Sequence, residues 1–211
     1  MADILQEIAT NLYNGNAPAT KELVQKALDQ GLGVGEVLNG GLVAGMDQVG
    51  KDFKAGELFV PEVLIAARAM NAGMELLKPL LADSDVPSAG KFAVGTVKGD
   101  LHDIGKNLVR MMVEGGGFEV LDLGVDVSPE AFVKVVREQK PDVIGLSALL
   151  TTTMTSMKDI IEALQEAGLR DSVKVMIGGA PVTEAYAKEI GADGYAPDAA
   201  SAVDVARALV G

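Results

Sequence analysis

Apolar residues through about position 82 recur at the three-and-four spacing of helices. Ile4, Leu5, Ile8 and Leu12 form one stripe; Thr20, Leu23, Val24, Ala27 and Leu28 form a second. Asn16 is placed to cap the second, with Pro18 in its first turn and Gly31 to end it. A third stripe runs through Leu38, Leu42, Met46, Val49 and Phe53. A fourth takes in Val60, Val63, Leu64, Ala67, Met70, Met74 and Leu77, with Pro61 in its opening turn and Asn71 as a polar intruder. Four amphipathic stripes on short connections predict a small helical bundle. Gly40, Gly41 and Gly45 lower helix propensity within the third stripe, which either close helix packing or room for a bulky ligand would explain.

The pattern then changes. Residues 83–90, Asp-Ser-Asp-Val-Pro-Ser-Ala-Gly, read as a linker and a candidate hinge. Beyond it, β-branched runs at Phe92–Val97, Glu119–Leu123, Val143–Leu146 and Val173–Ile177, with a weaker one near Gly194, alternate with helical stretches. Those helices are expected at about Ile104–Glu114, Pro129–Glu138, Met154–Ala167, Thr183–Ile190 and Ala199–Leu209. Such alternation predicts an α/β unit with a five-stranded parallel sheet, in the flavodoxin-like (Rossmann-like) order. Its ligand crevice lies where the first and third strands diverge. The expected domains are therefore a helical unit at 1–82, a linker at 83–90 and the sheet domain at 91–211.

Composition narrows the functions available. The chain of 211 residues carries a net charge of −12, and its Lys and Arg are not clustered, which argues against a phosphate-backbone grip on nucleic acid. The acidity reads as a solvated surface. The absence of Trp removes the best base-stacking side chain. With no Cys, thiolate ligands and disulfides are excluded. No apolar run reaches the roughly 18 residues of a membrane span, and the start lacks a secretory signal, so a cytoplasmic protein is expected.

His102 is the single histidine. It stands in Gly99-Asp100-Leu101-His102-Asp103-Ile104-Gly105-Lys106-Asn107, directly after the first expected strand, at the sheet edge where such folds bind ligands. A lone histidine is commonly a capped-loop or surface residue. It is also a good ligand for a borderline metal when a carboxylate fixes its tautomer, and Asp100 is near enough in sequence to do so. Gly105 would let backbone approach a large flat group.

These residues resemble a known signature. Asp100-Leu101-His102-Asp103-Ile104-Gly105 looks like the Asp-x-His-x-x-Gly motif of cobalamin-dependent methyltransferases and mutases. Ser147-Ala148-Leu149 matches the family's Ser-x-Leu after the third strand, and Gly178-Gly179 its Gly-Gly after the fourth. Gly56–Leu64 resembles the helical cap over methylcobalamin in methionine synthase and in the corrinoid proteins of methyl-transfer systems.

The resemblance implies a cobalamin or related corrinoid cofactor, with His102 as lower ligand to cobalt and Asp100 on its other ring nitrogen. Thr153 stands where the family often has Ser, as third member of the relay. Ser147, Leu149, Gly178 and Gly179, with Thr151 as a further polar candidate, would line the slot for the nucleotide tail. Gly178-Gly179 can equally be a plain strand-to-helix turn. Phe53 and Val60 correspond to the apolar pair over the methyl group, or are ordinary core positions; methionine synthase has Leu where Val60 stands.

The implied function is a non-catalytic corrinoid carrier. It would accept a methyl group on cobalt from a substrate-specific methyltransferase and pass it to a second methyltransferase, on the tetrahydrofolate or thiol side. A reductive activator would be a further partner. Methoxylated aromatics are the expected methyl source, with methylamines, methanol and betaines close behind. The rivals are the small subunit of an adenosylcobalamin mutase, which usually lacks a helical cap, and a B12-binding sensor, which would carry a signalling module. A cobalt-free nucleotide-binding module is disfavoured because Gly95-Thr96-Val97-Lys98-Gly99 is no Gly-x-Gly-x-x-Gly.

Overall fold

The computed structural model describes residues 2–82 and 88–211. The core of the expected linker and hinge, residues 83–87, lies outside the described residues. The chain divides into two compact units. One extends to Ser88 and includes 115–117; the other comprises 89–114 and 118–211.

The first unit is helical: α1 Ala2–Tyr13, α2 Ala17–Asp29, α3 Val34–Val37, α4 Ala44–Lys54 and α5 Val60–Ala82. Asn16 caps α2 by accepting the Ala19 N–H at 3.3 Å, with Pro18 in the first turn. Ile8, Leu12, Val24, Leu42, Met46 and Met70 are buried among these helices, from all of the expected stripes.

The third stripe is not one regular helix. Leu38–Val43 form a π-helical segment between α3 and α4, in which the Ala44 N–H reaches back to the Asn39 carbonyl. The glycines there have a packing reason. A Cβ on Gly41 would lie 3.0 Å from the Ile8 side chain, and one on Gly45 would lie 3.0 Å from the Ala9 carbonyl. Close approach of α1 accounts for Gly41 and Gly45.

The second unit is a five-stranded sheet flanked by helices. Its elements are β1 Lys91–Thr96, α6 Ile104–Gly115, β2 Glu119–Asp122, α7 Pro129–Gln139, β3 Val143–Ser147, α8 Ser156–Glu166, β4 Lys174–Gly178, α9 Glu184–Ile190, β5 Gly194–Ala196 and α10 Ala199–Val210. All pairings are parallel in the order β2-β1-β3-β4-β5, the flavodoxin-like arrangement expected from the alternation. Apolar strands such as β1 and β3 are buried almost throughout, as a sheet covered on both faces requires.

The helix expected from Met154 starts only at Ser156, because the residues before it fold into turns. There the Thr153 and Met154 N–H groups both donate to the Leu150 carbonyl. Ser128, Thr183 and Asp198 cap α7, α9 and α10 through their side-chain oxygens. Among the described residues no helix is long and apolar enough to cross a membrane.

Candidate functional site

Strand register brings the three motifs of the sheet domain level with one another. Thr96 at the end of β1 pairs with Ser147 at the end of β3, and Ser147 pairs with Gly178 at the end of β4. The loops that follow therefore leave the same carboxyl edge side by side.

The loop after β1 carries Asp100 and His102. The Asp100 side chain is fully buried, whereas the His102 side chain is half exposed. His102 Nδ1 lies 2.7 Å from Asp100 Oδ1, which also accepts the His102 backbone N–H at 3.0 Å. The other carboxylate oxygen accepts the Thr153 hydroxyl at 2.6 Å and the Leu149 N–H at 2.8 Å. Four donors thus converge on one carboxylate. Burial alone would push its pKa up. The bonds from Thr153, Leu149 and His102 outweigh that and hold it well below the usual carboxylate range. An ionised Asp100 requires a hydrogen on His102 Nδ1, so Nε2 is the ring nitrogen left for another partner.

Exposed apolar side chains stand on the same loop and on the loop after β3. Leu101 is 72% exposed and Ile104 80% exposed, and Leu149 and Leu150 are exposed as well. A Cβ added to Gly105 would meet nothing within 4 Å, so this glycine borders open space. Asp103 is exposed and binds the Asn107 amide at 3.0 Å in the first turn of α6.

The structure thus unites Asp100, His102 and Thr153 in one hydrogen-bonded group, with Leu101, Asp103, Ile104 and Gly105 on the same loop and the Leu149 backbone joined to it. Ser147, half-buried, and Gly178 end their strands at the level of Thr96. Gly179 adopts φ +128°, and a Cβ there would sit 1.9 Å from the Ala148 carbonyl, so the chain's own backbone already demands glycine. Thr151 is exposed on the loop after β3. Phe53, half-buried, and Val60, 38% exposed, belong to the helical unit, at the end of α4 and the start of α5.

Several contributors carry no sequence signal of their own. The Leu149 donor is a backbone group. Thr96, buried at the end of an apolar strand, donates its hydroxyl to the His102 carbonyl at 2.8 Å; a polar residue closing such a run was the available cue. Lys106 is buried and bonds Asp122 at the end of β2 and Asn107. Burial raises and this lysine lowers the Asp122 pKa, with a net downward shift helped by the Gly124 N–H and Arg110. The pair ties the first turns of α6 to the sheet.

Among the described residues, no three His, Cys, Asp or Glu side chains are grouped to hold a bare metal ion. The second imidazole nitrogen of His102 offers a single ligand. It fits a metal that arrives with its other ligands already supplied by a flat macrocycle, as cobalt does in a corrin ring.

Comparison with known proteins agrees with this geometry. A B12 binding domain model matches residues 90–204, and a second B12 binding domain model matches residues 4–78. A dimethylamine corrinoid protein of Methanosarcina acetivorans is 47% identical over 99% of this chain and 98% of its own. A solved cobalamin-binding protein from Desulfitobacterium hafniense is 37% identical, with a TM-score of 0.82 over 98% of both chains. A chain of the methanol:cobalamin methyltransferase complex MtaBC from Methanosarcina barkeri is 30% identical, with a TM-score of 0.87 over 99% of this chain and 80% of that one.

Fold and site together define a B12-binding protein, with an α/β domain that presents a histidine and a helical domain before it. Within that class the chain belongs to the corrinoid proteins of methyltransferase systems, carrier subunits that hold the corrinoid without themselves being catalysts.

Proposed function

We propose that this chain accepts a methyl group on its corrinoid from a cytoplasmic methyltransferase specific for a methylated amine, and delivers it to a second methyltransferase. The Methanosarcina relative is named for an amine. That name favours amines over the methoxylated aromatics expected from the sequence. A reductive activator completes the proposed set of partners.

The observation that carries the reading is the buried Asp100, saturated by four donors, beneath a histidine whose Nε2 is free. When bound, the corrinoid supplies a cobalt centre that can take up and release a methyl group. His102 would hold the cobalt through Nε2. Asp100 fixes the tautomer and ring direction, and Thr153 fixes Asp100. Leu101, Asp103, Ile104 and Gly105 form the loop under the ring; Ser147, Leu149, Thr151, Gly178 and Gly179 accommodate the nucleotide tail. A role for Phe53 and Val60 at the upper face rests on the resemblance alone.

Titration of the purified protein with hydroxocobalamin, followed by absorption, tests the carrier reading. The expected product is tightly bound corrinoid with imidazole on cobalt, and His102→Ala should weaken binding about 10- to 100-fold. Unchanged ligation in the variant overturns the role of His102. With the bound corrinoid first reduced to Co(I) by a strong chemical reductant, supplying dimethylamine or a methoxylated aromatic, each with its own methyltransferase, tests the donor. Methylation of the bound corrinoid only in the aromatic arm reverses the amine proposal.

A further inference from the structure

Asp126 lies in the loop after β2, outside every motif that the corrinoid reading uses. It adopts φ +54°, in the left-handed region that non-glycine residues rarely occupy. Among the described residues the other non-glycine case is Lys140, at φ +47°, which ends α7 in the ordinary manner of a helix C-cap. Asp126 caps no helix. A residue held in such a conformation outside a helix end points to a local task.

The contacts show which task. Asp126 Oδ1 accepts the Gly99 N–H at 2.7 Å, and the Asp126 N–H donates to the Asp100 carbonyl at 3.0 Å. The two bonds hold the backbone on either side of the Gly99–Asp100 peptide, at the Gly99 N–H and the Asp100 carbonyl, where Gly99 itself turns at φ +82°. Neighbouring bonds align the two segments: the Thr96 N–H donates to Gly124 and the Val127 N–H to Thr96. At the far end of the loop the Thr96 hydroxyl holds the His102 carbonyl. Asp126 therefore sets the direction in which the Asp100 side chain leaves the backbone, and with it the aim of the His102 ring.

We propose that Asp126 is a positioning residue for cobalt ligation: by clamping the Gly99–Asp100 turn it holds His102 in the ligating pose. This rests on the corrinoid reading above. Asp126 touches neither the His102 ring nor, in this role, the cofactor.

The test uses aquocobinamide, a corrinoid without the nucleotide tail, so that ligation by His102 is measured apart from the tail slot. The full-length protein is titrated and its absorption spectrum records imidazole on cobalt. Asp126→Gly keeps the backbone conformation but removes the acceptor; it should lower affinity about tenfold. Asp126→Asn retains an oxygen acceptor and tolerates the left-handed conformation, and should stay within about threefold of the unaltered protein.

In a His102→Ala background Asp126→Gly should change affinity no further, because its effect passes through the imidazole. An equal loss in that background, or equal losses for Gly and Asn, overturns the proposal. If Asp126→Gly is recovered unfolded, amide exchange of the unaltered protein decides: the Gly99 amide should be protected although its residue is exposed, and an unprotected one overturns the clamp. Absence of imidazole ligation in the unaltered protein defeats the corrinoid reading itself. Imidazole ligation there, with Asp126→Gly unaffected, defeats this inference alone.

Discussion

At the scale of single residues, Asp100 is the centre of the arrangement. A carboxylate can accept all four bonds it receives; an amide cannot, because its NH2 group would face two of the donors. Asp100→Asn should therefore destabilise the corrinoid-free protein by about 2–3 kcal/mol at pH 7, measured by urea unfolding. The pH dependence has a definite sign. The folded-state pKa of Asp100 is depressed, so its contribution is complete above the ordinary carboxylate value near ~3.9 and is lost as pH falls below it. The gap between the two proteins should narrow on acidification below about pH 4; a gap that widens would contradict the assignment. The Asp100–His102 pair was legible in the sequence because a short, fixed spacing puts both in one loop. The bond from the Leu149 backbone to Asp100 and the contacts of Thr96 and Asp126 were not, since they run through backbone groups or between loops brought together only by strand register.

At the scale of elements, hydrophobic periodicity located the helices and strands well, because the helices bury one face within their own unit and strands such as β1 and β3 are apolar almost throughout. It missed the π-helical turn at Leu38–Val43. Two successive four-residue steps, Leu38 to Leu42 to Met46, are compatible with either helix type. The glycines near this turn are unequal, and the difference can be measured. A Cβ at Gly45 would press on the backbone of Ala9, whereas one at Gly40 would meet only the end of the Leu5 side chain at 3.1 Å. Gly45→Ala should destabilise the protein by about 1–3 kcal/mol despite its gain in helix propensity. Gly40→Ala should be neutral or slightly stabilising. Thermal unfolding of the two variants checks this, and equal losses would refute the packing explanation.

At the scale of the whole molecule, the change from helical stripes to strand–helix alternation separates two kinds of architecture in the sequence, and the chain has two compact units, one to Ser88 with 115–117 and one of 89–114 with 118–211. The methyl source was not legible, because its recognition belongs to a partner enzyme. Cofactor binding should appear as stability. With free corrinoid at a hundred times its dissociation constant, the protein should gain about 2.7 kcal/mol against urea. His102→Ala should show a smaller gain at the same concentration, and equal gains in both proteins would mean that ligation contributes nothing to retention. The single, half-exposed imidazole has one more consequence. With no second ring of its kind in 211 residues, every imidazole resonance from an isotope-labelled sample belongs to His102. The chain thus carries a built-in, self-assigned reporter at the position proposed to meet the metal.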